Sequence, residues 1–162
     1  MATTAARSGR PSTDRSDARA QGHPSITARN VNQEDRRFLE RHGERLSKTT
    51  LRATWAHSPD EHEDRPGQTL ATRSPEGVRA WAEARGGEPA TAETSPSKTD
   101  HRPHVLRINF PGRGGRLLTA IGWNDWLKSF QGRDLVFLFL EHTRDGRESN
   151  FFRLDNPKRT DA

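Results

Sequence analysis

The apolar positions of this chain crowd into its second half, and their spacing there changes twice. From Val105 to Phe110 they alternate. Leu106, Ile108 and Phe110 fall on one side and Val105, Arg107 and Asn109 on the other, which predicts a half-buried strand. Trp123, Trp126, Leu127 and Phe130 recur at i, i+3, i+4 and i+7, an apolar stripe along a helix over 123–131 that Gly132 ends. Six apolar residues in a row, Leu135 to Leu140, predict a strand buried on both faces. Asp145-Gly146 is a hairpin signal between that strand and a last one, in which Phe152 and Leu154 share a face before Pro157.

Upstream, Ser74, Pro75 and Glu76 read as the cap, first residue and first turn of a helix. Val78, Trp81 and Ala82 lie on one face of it, Arg79 and Glu83 can pair on the other, and Gly86-Gly87 stop it. Asn32 can cap a shorter helix over 33–42, with Glu34 and Asp35 in its first turn, Phe38 and Leu39 as its large apolar residues, and Gly43 as its stop. A helix of roughly ten residues is marginal alone, so this one needs a surface to dock on. Residues 47–73 predict partial order: a short strand over Thr50–Trp55, a polar loop from Ser58 to Gly67 containing Pro59 and Pro66, and a second extended piece over Thr69–Thr72. Residues 93–102 read as a linker.

These patterns predict an α+β fold: a small sheet of three to five strands with two helices on one face, built on a strand–helix–strand–strand core over about 104–155. The first two of those strands could lie parallel through a right-handed crossover. The expected core is Trp81, Leu106, Ile108, Trp126, Leu127, Phe130, Phe137, Phe139 and Phe152. The expected organisation is a disordered basic tail over 1–32, a short helix with a partly ordered segment over 33–73, a compact α+β domain over 74–157, and a tail over 158–162.

Composition sharpens this division. Of 162 residues, 29% are hydrophobic and 30% charged, too few apolar groups to order the whole chain. The deficit concentrates before residue 32, where Ala, Ser, Thr, Arg, Gly and Pro predominate. The net charge is +5, with five Arg against two Asp in residues 1–32 and both signs interleaved elsewhere. A dedicated nucleic-acid binder concentrates its charge on one face or tail. No run of about 18 apolar residues is present, which argues against a membrane span, and no apolar h-region opens the chain, which argues against a secretory signal. With no cysteine, thiolate metal sites, disulfides and cysteine nucleophiles are excluded. A cytoplasmic location is the default expectation, and no cofactor is implied.

Several clusters carry candidate chemistry. His57, Glu61 and His62, among Asp60, Glu63 and Asp64, could ligate a divalent metal, although Pro59 prevents a shared helical face and a solvated acidic loop is the plainer reading. His101 and His104 are a weaker version of the same idea. The turn Arg113-Gly114-Gly115-Arg116 could present backbone N–H groups to an anion or a nucleic-acid phosphate, or simply be a loop whose glycines supply positive φ. Trp123, Trp126, Phe130 and Phe137 could stack bases or sugars, but their helical spacing favours a core role. Ser149, His142 and Asp145 supply a triad's residue types without a nucleophile elbow.

Specific runs resemble a family of small bacterial proteins. They are Lys48-Thr49-Thr50-Leu51-Arg52, Ser58 to Thr72, Arg79 to Gly87, Val105 to Phe110, Trp123-Asn124-Asp125-Trp126, Leu135 to Phe139 and Ser149 to Leu154, covering roughly 35–157. The resemblance implies no established activity. Some members carry the label 1,4-alpha-glucan branching enzyme, but such an enzyme is a large barrel with paired catalytic carboxylates, and this chain is too short for that barrel. Gly122 stands where the family pattern has a polar cap or acid, and Leu140 where Gln is common, so a polar site of relatives would be weakened here.

The functional expectation is a non-enzymatic binding or accessory module of the bacterial cytoplasm. Its partner would be another protein or a second copy, docking on the exposed sheet face or on the helix at 33–42. The alternatives are a weak nucleic-acid binder using the Arg-rich tail and the 113–116 turn, and an enzyme with a site in the 57–73 loop.

Overall fold

The computed structural model describes residues 25–92, 105–112 and 118–158, which form four α-helices and two small sheets in a mixed α+β arrangement. The helices are α1 (Gln33–His42), α2 (Lys48–Arg52), α3 (Pro75–Ala84) and α4 (Trp123–Gly132). The strands are β1 (Thr54–Ala56), β2 (Thr69–Thr72), β3 (Glu88–Thr91), β4 (Leu106–Asn109), β5 (Thr119–Ala120), β6 (Val136–Leu140) and β7 (Phe152–Asp155).

Short-range chemistry sets the helix ends. The Asn32 side chain accepts from the Asp35 N–H at 2.8 Å and starts α1. The Ser74 hydroxyl accepts from the Gly77 N–H at 3.1 Å, and Pro75 takes the first turn of α3. Beyond α3, Gly86 turns left-handed at φ 71° and the Gly87 N–H returns to the Ala82 carbonyl at 2.7 Å. Gly87 also has no room for a side chain, since a Cβ there would stand 2.7 Å from Ile108 Cγ2. Gly122 begins α4 with no side-chain cap.

The larger sheet has the order β1-β2-β6-β7, with β1 parallel to β2 and the other pairs antiparallel. Its centre is β6, and the two faces of that strand feed two cores. Phe137 and Phe139 face α3 and α4, joining Leu70, Val78, Trp81, Trp126, Phe130 and Leu135. Val136 and Leu138 face α1, joining Phe38, Leu39, Leu51, Trp55 and Ala71. This is why six apolar residues occur in a row: neither face of β6 meets water. Leu127 and Phe152 lie partly buried on the margin of the first core.

Two expectations about pairing change. The alternating strand at 105–110 does not share a sheet with β6, so no parallel crossover joins them. Instead β4 pairs antiparallel with β3, and β3 with β5, in a separate three-stranded sheet of order β4-β3-β5. Leu106 and Ile108 reach the first core from that sheet. The sheet depends on β3, which carries Pro89 and no alternating apolar pattern that would announce a strand.

The segment 47–73 also differs from the expected partial order. Lys48–Arg52 is helical, with the Ser47 hydroxyl accepting from the Thr50 N–H at 3.3 Å, and the strand begins only at Thr54. Residues 25–31, assigned from sequence to the tail, lie along the edge of β1. The Thr27 N–H donates to the Leu51 carbonyl at 2.9 Å, and the Arg29 N–H to the Ala53 carbonyl at 3.0 Å. The Trp55 N–H donates back to the Arg29 carbonyl at 2.8 Å. Ile26, Ala28 and Val31 pack on the second core. Tertiary pairing won here because the exposed edge of β1 offers the backbone partners that a polar local sequence does not advertise. Residues 1–24, residues 93–104 with the expected linker at 93–102 and with His101 and His104, and the candidate anion residues Arg113, Gly114, Gly115 and Arg116 lie outside the described residues.

Candidate functional site

The loop between β1 and β2, residues 57–68, passes between two cavities, and Ala56 lines both. The larger, about 340 Å3, lies between this loop, α3 and the end of β6. Its apolar wall is Ala56, Ala80, Trp81, Ala84 and Phe139. Trp81 is held edge-on against Phe137 and Phe139, at 5.4 and 5.7 Å between ring centroids. Its indole N–H donates to the Leu140 carbonyl at 3.3 Å.

Arg85 follows Trp81 by one helical turn, and its guanidinium lies 4.6 Å over the indole. Each of its three nitrogens donates to a backbone carbonyl. Nε donates to Ser149 at 2.5 Å, Nη1 to Trp81 at 3.2 Å and Nη2 to Glu141 at 3.1 Å. Burial pushes the Arg85 pKa below its ordinary value, with Glu148 and Glu141 opposing the shift. Arg85 therefore ties the 141–149 segment to α3.

The polar wall is acidic. Glu141 accepts from the Glu63 N–H at 3.2 Å and contacts His62 Nδ1 at 3.1 Å. Burial pushes the Glu61 carboxyl up, but hydrogen bonds from the His57 N–H and the Asn30 amide outweigh this and leave its pKa lowered. Asp64 and His142 complete this wall. On the same loop, the Arg65 guanidinium binds Glu63 through two 3.0 Å contacts and holds that carboxyl at about 2.

The candidate metal residues are divided by this geometry. His57 Nδ1 lies 3.4 Å from Glu61 and its Nε2 2.5 Å from Asp35, whereas His62 turns to Glu141. Among the described residues, no group of three or more His, Asp or Glu is arranged to hold a metal ion. The Ser149, His142 and Asp145 combination is dispersed as well. The Ser149 hydroxyl accepts from the Phe151 N–H at 3.0 Å, and Asp145 takes the Thr143 hydroxyl and Arg147. No hydrogen bond among the described residues joins His142 to either. Trp126 is fully buried and stacked on Phe130 at 5.8 Å, so it presents no face to a base or sugar. Trp123 lies half-buried against it.

The sequence reading missed Trp81, Arg85 and Glu141 as lining of one pocket. The available signals were an aromatic and a cation four residues apart on one helix, and an acid as the first polar residue after an apolar strand. No family model, no curated protein and no solved structure matches this chain, so the resemblance to small bacterial proteins rests on the quoted residues alone.

Proposed function

We propose that this protein is a binding module whose cavity between the 57–68 loop, α3 and the end of β6 receives a cationic group on an apolar stem, of the kind a lysine or arginine side chain of a partner protein presents. The observation that carries this reading is the division of labour in the pocket wall. Arg85 there is tied to carbonyls through each of its three nitrogens, while Glu61, Asp64 and Glu141 supply negative charge beside Trp81, Phe139 and three alanines. An apolar wall with a few placed charges is the usual composition of a ligand pocket, and its volume lies at the small end of the roughly 300–1,000 Å3 typical of such sites. A single side chain suits that size better than a large metabolite. The mutual hydrogen bonding of the loop residues keeps the acidic wall in place before a ligand arrives, which reduces the ordering cost of binding.

Calorimetry with benzylamine tests this, using benzoate and benzyl alcohol as controls of matched shape. Benzylamine should bind, and the controls should not. Glu141→Gln should weaken benzylamine by about tenfold, or roughly 1.4 kcal/mol. Equal binding of benzoate and benzylamine, or no binding of either at millimolar concentration, overturns the reading.

A further inference from the structure

On the other side of the 57–68 loop, the smaller cavity has a different chemistry. It measures about 220 Å3 and lies between the first turn of α1, the start of α3 and the last turn of α4. Its polar lining includes Glu34, Asp35, His57, Arg73, Ser74 and Gln131. Among these residues Arg73 Nε is buried with no hydrogen-bond partner among the described residues, while the buried Asp35 Oδ2 and His57 Nε2 have only each other. Asp35 is 8% exposed. Its Oδ2 and His57 Nε2 lie 2.5 Å apart, an ion-pair contact when the imidazole is protonated. A buried polar atom left unpaired costs about 1–3 kcal/mol, so Arg73 Nε, beside a buried carboxylate met by a single imidazole, marks this space as one with a use.

The charges in this lining are separated by element. Glu34 and Asp35 stand on α1. Arg73 stands at the positive end of the α3 dipole. The Arg73 guanidinium is fixed in place, since Nη2 donates to Asp134 at 3.2 Å and its carbon lies 3.9 Å over the Phe38 ring. A simple anion would meet the two acids, and a simple cation would meet Arg73 and the helix N-terminus. A molecule carrying both charges a few bonds apart meets neither penalty. The volume excludes drug-sized ligands, whose pockets begin near 300 Å3.

We propose that this cavity binds a small zwitterion of the α-amino-acid class, with its ammonium group on Asp35 and its carboxylate on Arg73. The cavity is separate from the one assigned above, so the two readings stand or fall independently. Burial also pushes the Asp35 carboxyl above its ordinary value, with His57 and Arg73 opposing the shift. An arriving ammonium would relieve that burden.

The test is calorimetry of the full chain with L-alanine, set against acetate and methylamine, which carry one charge each. L-Alanine should bind, and each half-molecule should bind at least about tenfold more weakly. Asp35→Asn should weaken L-alanine by more than about tenfold with an unchanged circular dichroism spectrum. As a check that needs no variant, L-alanine should shift the backbone amide resonances of Asn32, Ser74 and Gln131 in the wild-type protein. Acetate binding as tightly as L-alanine would overturn the proposal, as would no heat and no resonance shift, or undiminished binding in folded Asp35→Asn. Should Asp35→Asn not fold, the wild-type resonance map decides.

Discussion

The Thr50 hydroxyl donates to the Asp155 carboxylate at 2.5 Å across 105 residues of chain, with both residues almost fully buried. Asp155 also accepts from the Ser47 N–H at 2.8 Å. One carboxylate thus anchors the start of α2 to the last strand of the sheet. Asp155→Ala would remove the charged acceptor of both donors, and hydrogen bonds to charged groups contribute about 1.5–3 kcal/mol each. We expect a loss of about 3 kcal/mol for Asp155→Ala and about 1–2 kcal/mol for Thr50→Val, measured by urea denaturation. Coupling between the two changes in a double-mutant cycle should exceed about 0.5 kcal/mol. Additive effects would mean that the contact contributes nothing of its own.

The edge segment at 25–31 gives a second expectation. A chain beginning at residue 25 keeps the three backbone hydrogen bonds to Leu51, Ala53 and Trp55, and one beginning at residue 32 loses them. At about 0.5–1.5 kcal/mol per bond, plus the burial of Ile26 and Val31, the shorter chain should be less stable by several kcal/mol. Thermal melts of the two chains decide this. Matching transitions would remove residues 25–31 from the cooperative fold.

Trp126 is fully buried, and its indole N–H donates to the Arg107 carbonyl at 2.9 Å, so α4 is bonded to the smaller sheet through one side chain. Trp126→Ala should cost about 3–5 kcal/mol. Trp126→Phe keeps much of the volume but leaves that carbonyl without its donor, and should cost about 1–3 kcal/mol. Guanidinium denaturation of both variants tests the order. A smaller loss for Ala than for Phe would contradict a packed position.

Two acids should move stability with pH in opposite directions. Hydrogen bonds from Arg65 hold Glu63 at about 2 in the fold, against an ordinary 4.5. Its contribution is therefore complete above pH 4.5 and is lost as pH falls through the folded value. The Arg65 guanidinium is well exposed, so this contribution should not exceed about 1 kcal/mol and should shrink with salt. Asp35 is raised by burial, so its charged form burdens the fold at neutral pH, and that burden lifts as pH falls through the raised value. Urea midpoints measured between about pH 7 and about pH 3 should show Glu63→Gln approaching wild type on acidification. Over the same range wild type should gain on Asp35→Asn. Parallel curves for either variant would rule out its assigned shift.

What the sequence determined by itself was whatever a few neighbouring residues decide. Asn32 and Ser74 cap their helices because a side-chain oxygen three residues away satisfies a free N–H, a relation complete within one turn. The Trp123–Phe130 stripe and the run 135–140 likewise announced a helix and a doubly covered strand by their period. Only the tertiary structure decided what covers the second face of β6, because α1, α2 and residues 25–31 are polar segments whose few apolar residues become informative once docked. It also decided that β4 leaves the larger sheet for β3, a strand of four residues with a proline and no readable period. The candidate site follows the same rule. His57, Glu61 and His62 stand together in the chain, but His57 turns to Asp35 and His62 to Glu141, 22 and 79 residues away. Partners at that distance are chosen by how the sheet and helices pack, since the chain between them imposes almost no constraint on which carboxylate a loop histidine meets.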